Sequence, residues 1–375
     1  MTGMKLRSFL FLLVLTAATA AAAIAVLVDE RIRSSDPVAG AMLYPGLLDR
    51  VNDIDFVEVS TMVDGTVSAR REDGRWAVAQ RHGYPADFDM LKRMLYDLAR
   101  IELIEPRTSR PALYPKIRVE DLGDNSAESI RIVAKIGEET VADLLVGLAR
   151  PEETGGGVFL RKSGEAQSWL AKGGFQPVQL LTRFLDRNIA NVEQRRIYRT
   201  HLIHADGETV TVSRAGPEEM AWILEEPPPP GHKAKAGHEL SPLTSWLDFL
   251  IFDDVRPAAE VDFSKPLVTG RFETFDGLVV EADMAAQDGS HWVALAASPG
   301  APDPRVQPLL DARRTMEAGK LEGSLQMALK TPDEVATEID EINATAGGWA
   351  YRVTDYKTDK FRTRLADVTE AGDEN

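Results

Sequence analysis

Six histidines are the side chains of this sequence best suited to binding a metal ion or transferring a proton. They are His82, His201, His204, His232, His238 and His291. His201 and His204 are three residues apart in a segment that predicts a β-strand, where successive side chains alternate between the two faces. The two rings are therefore expected on opposite faces, without a shared metal ion. His232 and His238 share a stretch with two lysines, which favours a solvated loop.

The short motifs of common catalytic and nucleotide-binding sites do not occur in this sequence. It contains no P-loop, no dinucleotide-binding fingerprint and no nucleophile elbow. The run Gly155–Gly157 lacks the lysine and the helix that a phosphate-binding loop requires after it, so a hairpin loop is favoured. Carboxylate pairs such as Glu225–Glu226 and Asp253–Asp254 are expected by chance in so acidic a chain. We therefore assign no catalytic, cofactor-binding or metal-binding residue, and we expect neither enzyme activity nor a cofactor.

The composition limits the classes of partner and of chemistry. The chain has 375 residues, of which 44% are hydrophobic, so two or more domains with sizeable cores are expected. The absence of cysteine excludes disulfide bonds, thiolate metal ligands, thiol nucleophiles and a lipid-modified N-terminal cysteine. The formal net charge of -16 predicts a surface that repels nucleic acid and anionic lipid head groups. No nucleic-acid partner is therefore expected.

The N-terminal residues predict a membrane anchor. Residues 8–28 carry no charge, and an α-helix of that length would span about 30 Å, the thickness of the hydrocarbon core of a bilayer. Lys5 and Arg7 precede this stretch and are expected to stay in the cytoplasm, so the remainder of the chain would lie outside. A signal peptide cleaved near Ala18–Ala23 is the alternative.

The predicted topology places the main part of the chain outside the cytoplasm. Residues 1–7 form a cytoplasmic segment, residues 8–28 a transmembrane signal anchor and residues 29–50 a linker. The sequence thus predicts a single-pass protein of the bacterial inner membrane whose main domain is periplasmic.

A pattern of strands, turns and one helix predicts a first structural unit over residues 51–190. Two strands joined by the turn Asp64-Gly65 are followed by a strand at Arg75–Val78. A helix is predicted over Leu91–Ile101, because its apolar residues recur on one face at helical spacing. It ends before Glu105-Pro106, since the residue before a proline disfavours helical backbone.

The same order of elements recurs over residues 191–300. Two predicted strands flank the turn Asp206-Gly207, and Trp222 follows them as Trp76 follows the first pair. A helix with an apolar face from Leu243 to Leu250 comes next. This matching order predicts a duplicated unit, in which each sheet covers its own helix and the two tryptophans occupy equivalent, partly buried positions.

Residues 301–375 are predicted to form a smaller C-terminal segment of helices and a final strand. Thr331–Glu334 is a capping box with proline at the first helical position, and the strand is expected at Trp349–Val353. The predicted fold class is α+β. It comprises an N-terminal transmembrane helix, two repeated units of antiparallel sheet plus helix, and the smaller C-terminal α/β segment.

Four short segments carry a resemblance to a known family. They are Arg75–Val78, Pro85–Asp87 with its following helix, Phe184–Ile189 and Gly348–Tyr351. In this order they resemble the bacterial envelope family called domain of unknown function 4340, over residues 51–361. Members of that family resemble auxiliary components of ABC-type export systems related to gliding-motility transport, typically anchored by one N-terminal helix. The resemblance implies no catalytic residues.

Three functions are compatible with these features. The first is a membrane-anchored, periplasmic, non-catalytic scaffold or auxiliary subunit of an ABC-type transport system. Its partner would be a membrane protein, such as the transporter permease, and residues 8–28 would contact the inner membrane. The alternative is a periplasmic solute- or glycan-binding module, which requires a pocket with convergent polar groups. The third is an envelope hydrolase whose site is dispersed in the sequence.

Overall fold

The computed structural model describes residues 40–372, apart from 124–126, 153–154, 173–174, 176, 178–180, 218, 220 and 314–327. Contacts divide the chain into two compact units. The first unit contains the residues up to Arg75 together with residues 88–180. The second contains Trp76–Asp87 together with the residues from Leu181 onward.

Antiparallel strands form the sheet of the first unit. They are β1 (Phe56–Thr61), β2 (Gly65–Glu72), β5 (Leu103–Pro106), β6 (Ile130–Ile136), β7 (Glu139–Ala149), β8 (Val158–Lys162) and β9 (Ser168–Ala171). Within this unit they lie in the order β2-β1-β6-β7-β8-β9-β5. In the part of this unit that the structure describes, the helices are α1 (Leu47–Arg50) and α2 (Phe88–Ala99), with 3₁₀ turns at Val51–Asp53 and Pro111–Lys116. The helix α2 buries Leu91, Met94, Leu95 and Leu98, as its apolar periodicity predicts.

The second unit contains a larger antiparallel sheet. Its strands are β10 (Asn188–Ala190), β11 (Ile197–His204), β12 (Thr209–Ser213), β13 (Ile223–Leu224), β15 (Leu250–Pro257), β16 (Val268–Thr274), β17 (Leu278–Gln287), β18 (Ser290–Pro299) and β19 (Trp349–Val353). They lie in the order β10-β15-β19-β18-β17-β16-β11-β12-β13. Two smaller strand pairs belong to this unit. They are β3 (Arg75–Val78, from Trp76 onward) with β4 (Tyr84–Pro85), and β14 (His232–Ala234) with β20 (Thr369–Ala371).

Among the described residues of the second unit, the helices are short apart from one. They are α3 (Leu181–Phe184), α4 (Gly237–Thr244), α5 (Val306–Arg313), α6 (Pro332–Ala346) and α7 (Asp355–Phe361). Further 3₁₀ turns lie at Ala79–Arg81, Gln194–Arg196, Ala258–Glu260 and Leu365–Asp367. Thr331 caps α6 as the capping box predicts, since Thr331 Oγ1 accepts from Glu334 N and Glu334 Oε2 accepts from Thr331 N.

The strand order repeats between the two units. The order β2-β1-β6-β7-β8-β9-β5 of the first corresponds strand for strand to β12-β11-β16-β17-β18-β19-β15 of the second. A helix also precedes β5 and β15, namely α2 and α4. Trp76 and Trp222, which follow the first two strands of each set, are both buried. The turns of β1–β2 and β11–β12 are therefore corresponding places in the two sheets.

Aromatic side chains fill the core of the second unit in two groups. Trp246 stacks on Phe272, with ring centroids 5.2 Å apart, and lies 4.6 Å from Phe361. The other group surrounds the buried ring of Tyr84. Its members are Phe252, Trp349 and Tyr351, at 5.3, 5.0 and 6.1 Å. Such edge and stacked contacts add to the free energy gained from burial alone.

The predicted α+β class is wrong, because antiparallel sheets dominate the described residues and the helices are few and mostly short. The predicted second helix shows the physical reason. It ends at Thr244, and Leu250 begins β15 instead of completing an apolar helical face. Phe249 has a left-handed φ of 44°, which an α-helix cannot accommodate.

The membrane predictions are also corrected. Among the residues that the structure describes, no helix has both the length and the apolar character needed to cross a membrane. The predicted anchor at residues 8–28 lies outside the described residues. The structure therefore does not support the transmembrane signal anchor or the single-pass inner-membrane location with a periplasmic domain, and neither is retained below.

Candidate functional site

The histidines do not converge on a shared site. His201 Nδ1 lies 2.7 Å from Thr211 Oγ1, whereas His204 is buried and donates from Nε2 to the carbonyl oxygen of Thr363 at 2.9 Å. His232 lies in β14 and His238 in α4, so the predicted shared loop is wrong. In the described part of the chain, no group of three or more histidine or carboxylate side chains is arranged to hold a metal ion.

The carboxylate pairs are engaged in separate local contacts. Asp253 binds Arg187 at 2.9 Å, and the neighbouring Asp254 binds Arg81 at 2.7 Å. Glu225 pairs with Arg199 at 2.9 Å, and Glu226 accepts from both the amide and the hydroxyl of Thr211 at 2.6 Å. Each carboxylate therefore faces a different partner, and no pair shares a cavity for general acid and base catalysis.

Backbone conformation, rather than phosphate binding, explains the glycine run 155–157. Gly157 has a φ of 108°, and a Cβ atom there would lie 2.6 Å from the carbonyl oxygen of Ala171. Its own carbonyl oxygen accepts from Arg150 N at 2.7 Å. The close approach between the strands thus requires glycine at this position.

A buried ion network in the second unit was not apparent from the sequence. Arg196, only 2% exposed, donates to Asp276 at 2.8 and 3.2 Å and to Glu338 at 2.9 and 2.7 Å. Lys330 adds a 2.8 Å contact to Glu338. Burial alone would raise the pKa of Glu338, but the cations of Arg196 and Lys330 outweigh it and hold the pKa below its usual value. The network links the β16–β17 turn to α6. Its Arg196, Asp276 and Glu338 side chains are buried, so a substrate cannot reach them.

The first candidate site is a cleft in the first unit beside the β1–β2 turn. Its volume is about 580 Å³, and its walls come from this turn, the start of β6, the end of β7 and Phe175. Val63 is 91% exposed and Met62 is 38% exposed at the turn. Arg118 and Glu128 form an ion pair on its rim. Such a mixture of exposed apolar side chains and a polar rim suits the binding of an apolar group.

The second candidate site is the corresponding cleft of the second unit, beside the β11–β12 turn. It has a volume of about 640 Å³ and is lined by His204–Asp206, by Leu267 and Val268, and by residues between Asp359 and Asp367. The end of α7 and the residues after it therefore form one wall of this cleft.

Three kinds of contact attach that C-terminal segment to β16, to the end of β11 and to the β11–β12 turn. Phe361 packs on Gly270, where a Cβ atom would lie 2.5 Å from the ring. The carbonyl oxygen of Thr363 accepts from His204 at 2.9 Å. Arg364 donates to Asp206 at 2.6 Å, and this hydrogen bond lowers the pKa of the Asp206 carboxyl. We call residues 359–367 the C-terminal strap.

A third candidate site surrounds Phe249, in the turn between α4 and β15 of the second unit. A cleft of about 390 Å³ lies here, lined by Asn191, Glu193, Gln194, Arg195, Asp248 and Phe249. The ring of Phe249 is 74% exposed. Burial raises the pKa of Asp248 above its usual value, against the opposing hydrogen bond from Gln194 N at 2.8 Å. The sequence did not indicate this site, because the apolar periodicity predicted a helix from Leu243 to Leu250.

Comparison with known protein families gives a match over about half of the chain. A family model described as a domain of unknown function (DUF4340) matches residues 76–266. No curated protein and no solved structure matches the chain.

Proposed function

Because the chain belongs to the DUF4340 family, which carries no assigned activity, we propose from its own geometry that it is a non-catalytic scaffold that binds a partner protein. The proposed partner is a component of an ABC-type transport system, to which this chain would be an auxiliary subunit.

The observation that carries the proposal is the difference between the corresponding clefts. In the second unit the C-terminal strap packs an aromatic ring against the sheet and bonds to the β11–β12 turn. In the first unit the β1–β2 turn presents Met62 and Val63 to solvent beside a cleft of similar volume. A partner segment with an apolar anchor would pack on the first sheet beside its turn, as Phe361 of the strap packs on Gly270 of the second sheet.

The charges on the rim favour a basic segment. Asp64, Arg118 and Glu128 line the cleft, and Arg118 pairs with Glu128, so the charge of Asp64 remains unbalanced among the three. The chain as a whole carries a net charge of -16, so a positively charged partner would be attracted over a distance. The expected occupant therefore combines an apolar side chain with neighbouring lysine or arginine.

Site-specific crosslinking in the native host tests the proposal. A photoreactive amino acid at Val63 of the full chain should crosslink to an ATPase or permease component, identified by mass spectrometry. Val63→Asp should abolish co-purification of that component, because a charge at the apolar mouth opposes the anchor. Its melting temperature should not change, since the side chain is solvent-exposed.

The β11–β12 turn provides a matched control. Ala205 is exposed at the corresponding place of the second unit, and Ala205→Asp should leave the crosslinked partner bound. Equal loss of binding in both variants would contradict the assignment to the first cleft. A full-chain preparation that crosslinks to no transport component from position 63 would contradict the proposed partner class.

A further inference from the structure

Phe249 combines two features that the fold does not favour. Its φ of 44° places a bulky residue in the left-handed region, where steric contact of the side chain with the backbone causes strain. Its ring is 74% exposed, so burial of the phenyl group does not offset that strain. Glycine or asparagine would adopt the same backbone conformation more easily.

The contacts that hold the turn do not require a phenyl group. Asn191 Oδ1 accepts from Phe249 N at 3.0 Å, which any residue except proline could donate. The ammonium of Lys357 donates to the carbonyl oxygens of Ser245, Trp246 and Asp248 at 2.9, 2.7 and 2.8 Å. These bonds fix the backbone before Phe249 and at its own amide. The conformation of this turn therefore does not depend on a phenyl group at position 249.

The surface beside the ring is polar and concave. The cleft of about 390 Å³ is lined by Asn191, Asp248 and the ion pair between Glu193 and Arg195, whose closest atoms are 2.8 Å apart. Amide, carboxylate and guanidinium groups together can both donate to and accept from hydroxyl groups. An exposed aromatic face next to such groups offers one apolar and one hydrogen-bonding surface to the same ligand.

We propose that Phe249 and this cleft form a binding site for a saccharide. The C–H face of a pyranose ring would stack on the phenyl group, because its slightly positive hydrogens meet the negative face of the aromatic ring. The hydroxyl groups at the edge of the sugar would bond to Asp248, Asn191 and Glu193. This site lies in the second unit and is independent of the protein-binding cleft proposed above.

A protein partner explains the same residues less well. The centres of protein interfaces are depleted of charged residues, and their aromatic anchors fill well-packed apolar pockets. Phe249 instead stands beside two carboxylates and a guanidinium group. A small hydroxylated ligand uses these groups without having to desolvate a large charged surface.

Titration calorimetry of the full chain with maltotriose, cellotriose and chitotriose tests the site. At least one trisaccharide should bind the unmodified chain, and Phe249→Gly should weaken that binding by about tenfold or more, equivalent to about 1.4 kcal/mol. The same variant should melt at an unchanged or higher temperature, because glycine relieves the backbone strain. Phe249→Trp should retain binding, since it keeps an aromatic face.

Ile223 gives a matched control, because it is also an exposed apolar residue of the second unit and lies outside this cleft. Ile223→Gly should leave the affinity for the trisaccharide unchanged. Three results would overturn the proposal. They are binding of none of the trisaccharides, equal affinity in Phe249→Gly, and loss of a protein partner in Phe249→Gly without any sugar binding. The crosslinking from position 63 is unaffected by these outcomes, so the two proposals fail separately.

Discussion

The corresponding ends of the two sheets differ in what covers them. In the second unit Phe361, Thr363 and Arg364 attach the C-terminal strap to the β11–β12 turn and to β16. In the first unit the β1–β2 turn leaves Val63 in solvent. The same strand order thus supports one sheet end covered by the chain's own strap and one with an exposed apolar turn, and the exposed end is the better candidate for binding a partner.

The two units also differ in the ion pairs made by the segments that precede β1 and β11. In the second unit, buried Arg196 joins Asp276 of the β16–β17 turn to Glu338 of α6. In the first unit, the ion pair between Arg50 and Glu139 lies on the surface. A buried network depends on all its members, because any charge left alone is costly in a region that excludes water. A surface pair is screened and contributes little.

The largest expected effect comes from breaking the buried network. Arg196→Met leaves the buried carboxylates of Asp276 and Glu338 without their main cation, and should lower the free energy of unfolding by about 3–5 kcal/mol. Urea denaturation of the full chain measures the loss. Arg50→Met is the control and should cause little change. Similar midpoints for the two variants would show that the buried network is no more important than the surface pair.

The next effect concerns the anchor of the C-terminal strap. Phe361 is buried against Trp246, Phe272 and Gly270, so Phe361→Ala should cost about 3–5 kcal/mol by the usual range for buried phenylalanine. Hydrogen exchange should show faster exchange in the strap and unchanged exchange in β1 and β2 of the first unit. Retained protection of the strap would mean that its polar bonds, rather than this ring, hold it in place.

A smaller loss of stability is expected from substitution of Gly270, which packs against the ring of Phe361. Gly270→Ala places a Cβ atom 2.5 Å from Phe361 and should cost about 1–3 kcal/mol through overpacking. Combining it with Phe361→Leu, which removes part of the ring, should be less destabilising than the sum of the single changes. Strict additivity in a double-mutant cycle would show that the two positions do not interact.

The turns and the capping box could be predicted from the sequence, because each depends on neighbouring residues. Asp64-Gly65 and Asp206-Gly207 lie at the β1–β2 and β11–β12 turns, and Thr331 caps α6. The strand order also repeats, but its second set includes β19, which the sequence assigned to the separate C-terminal segment at residues 301–375. The turns and the cap follow from backbone preferences that act over a few residues.

The remaining features depend on contacts between distant parts of the chain. Asp276 and Glu338 are 80 and 142 residues from Arg196, so spacing could not identify the network. The turn at Phe249 is imposed by Asn191 and Lys357, which lie 58 residues before it and far after it, against an apolar periodicity that favoured a helix. The predicted α+β class failed for the same reason, since tertiary contacts override local preference.

A smaller effect is expected on the pH dependence of the stability of the second unit. The folded-state pKa of Glu338 lies below its ordinary value of 4.5, because the Arg196 and Lys330 cations outweigh the effect of burial. Its contribution to stability is therefore complete above the unfolded-state pKa and is lost as the pH falls through the lower folded-state pKa. Urea midpoints measured from neutral to acidic pH should fall less steeply in Glu338→Gln. An unaltered slope would show that Glu338 does not contribute to acid sensitivity.

The smallest effect is expected from the charged contact of the C-terminal strap. Arg364 donates to Asp206 at 2.6 Å, but both side chains are well exposed to water. Water and salt screen such a pair, so Arg364→Ala should leave the urea midpoint nearly unchanged and slightly increase hydrogen exchange at residues 363–367. Asp206→Asn should behave in the same way. Compared with Phe361→Ala, these variants separate apolar packing from charge as the cause of strap binding. If Arg364→Ala released the strap as fully as Phe361→Ala does, the covered end of the second sheet would depend on electrostatics. The second unit would then no longer be an example of a segment held on the sheet by apolar packing. Binding of a partner to the first cleft would instead be expected to weaken with added salt.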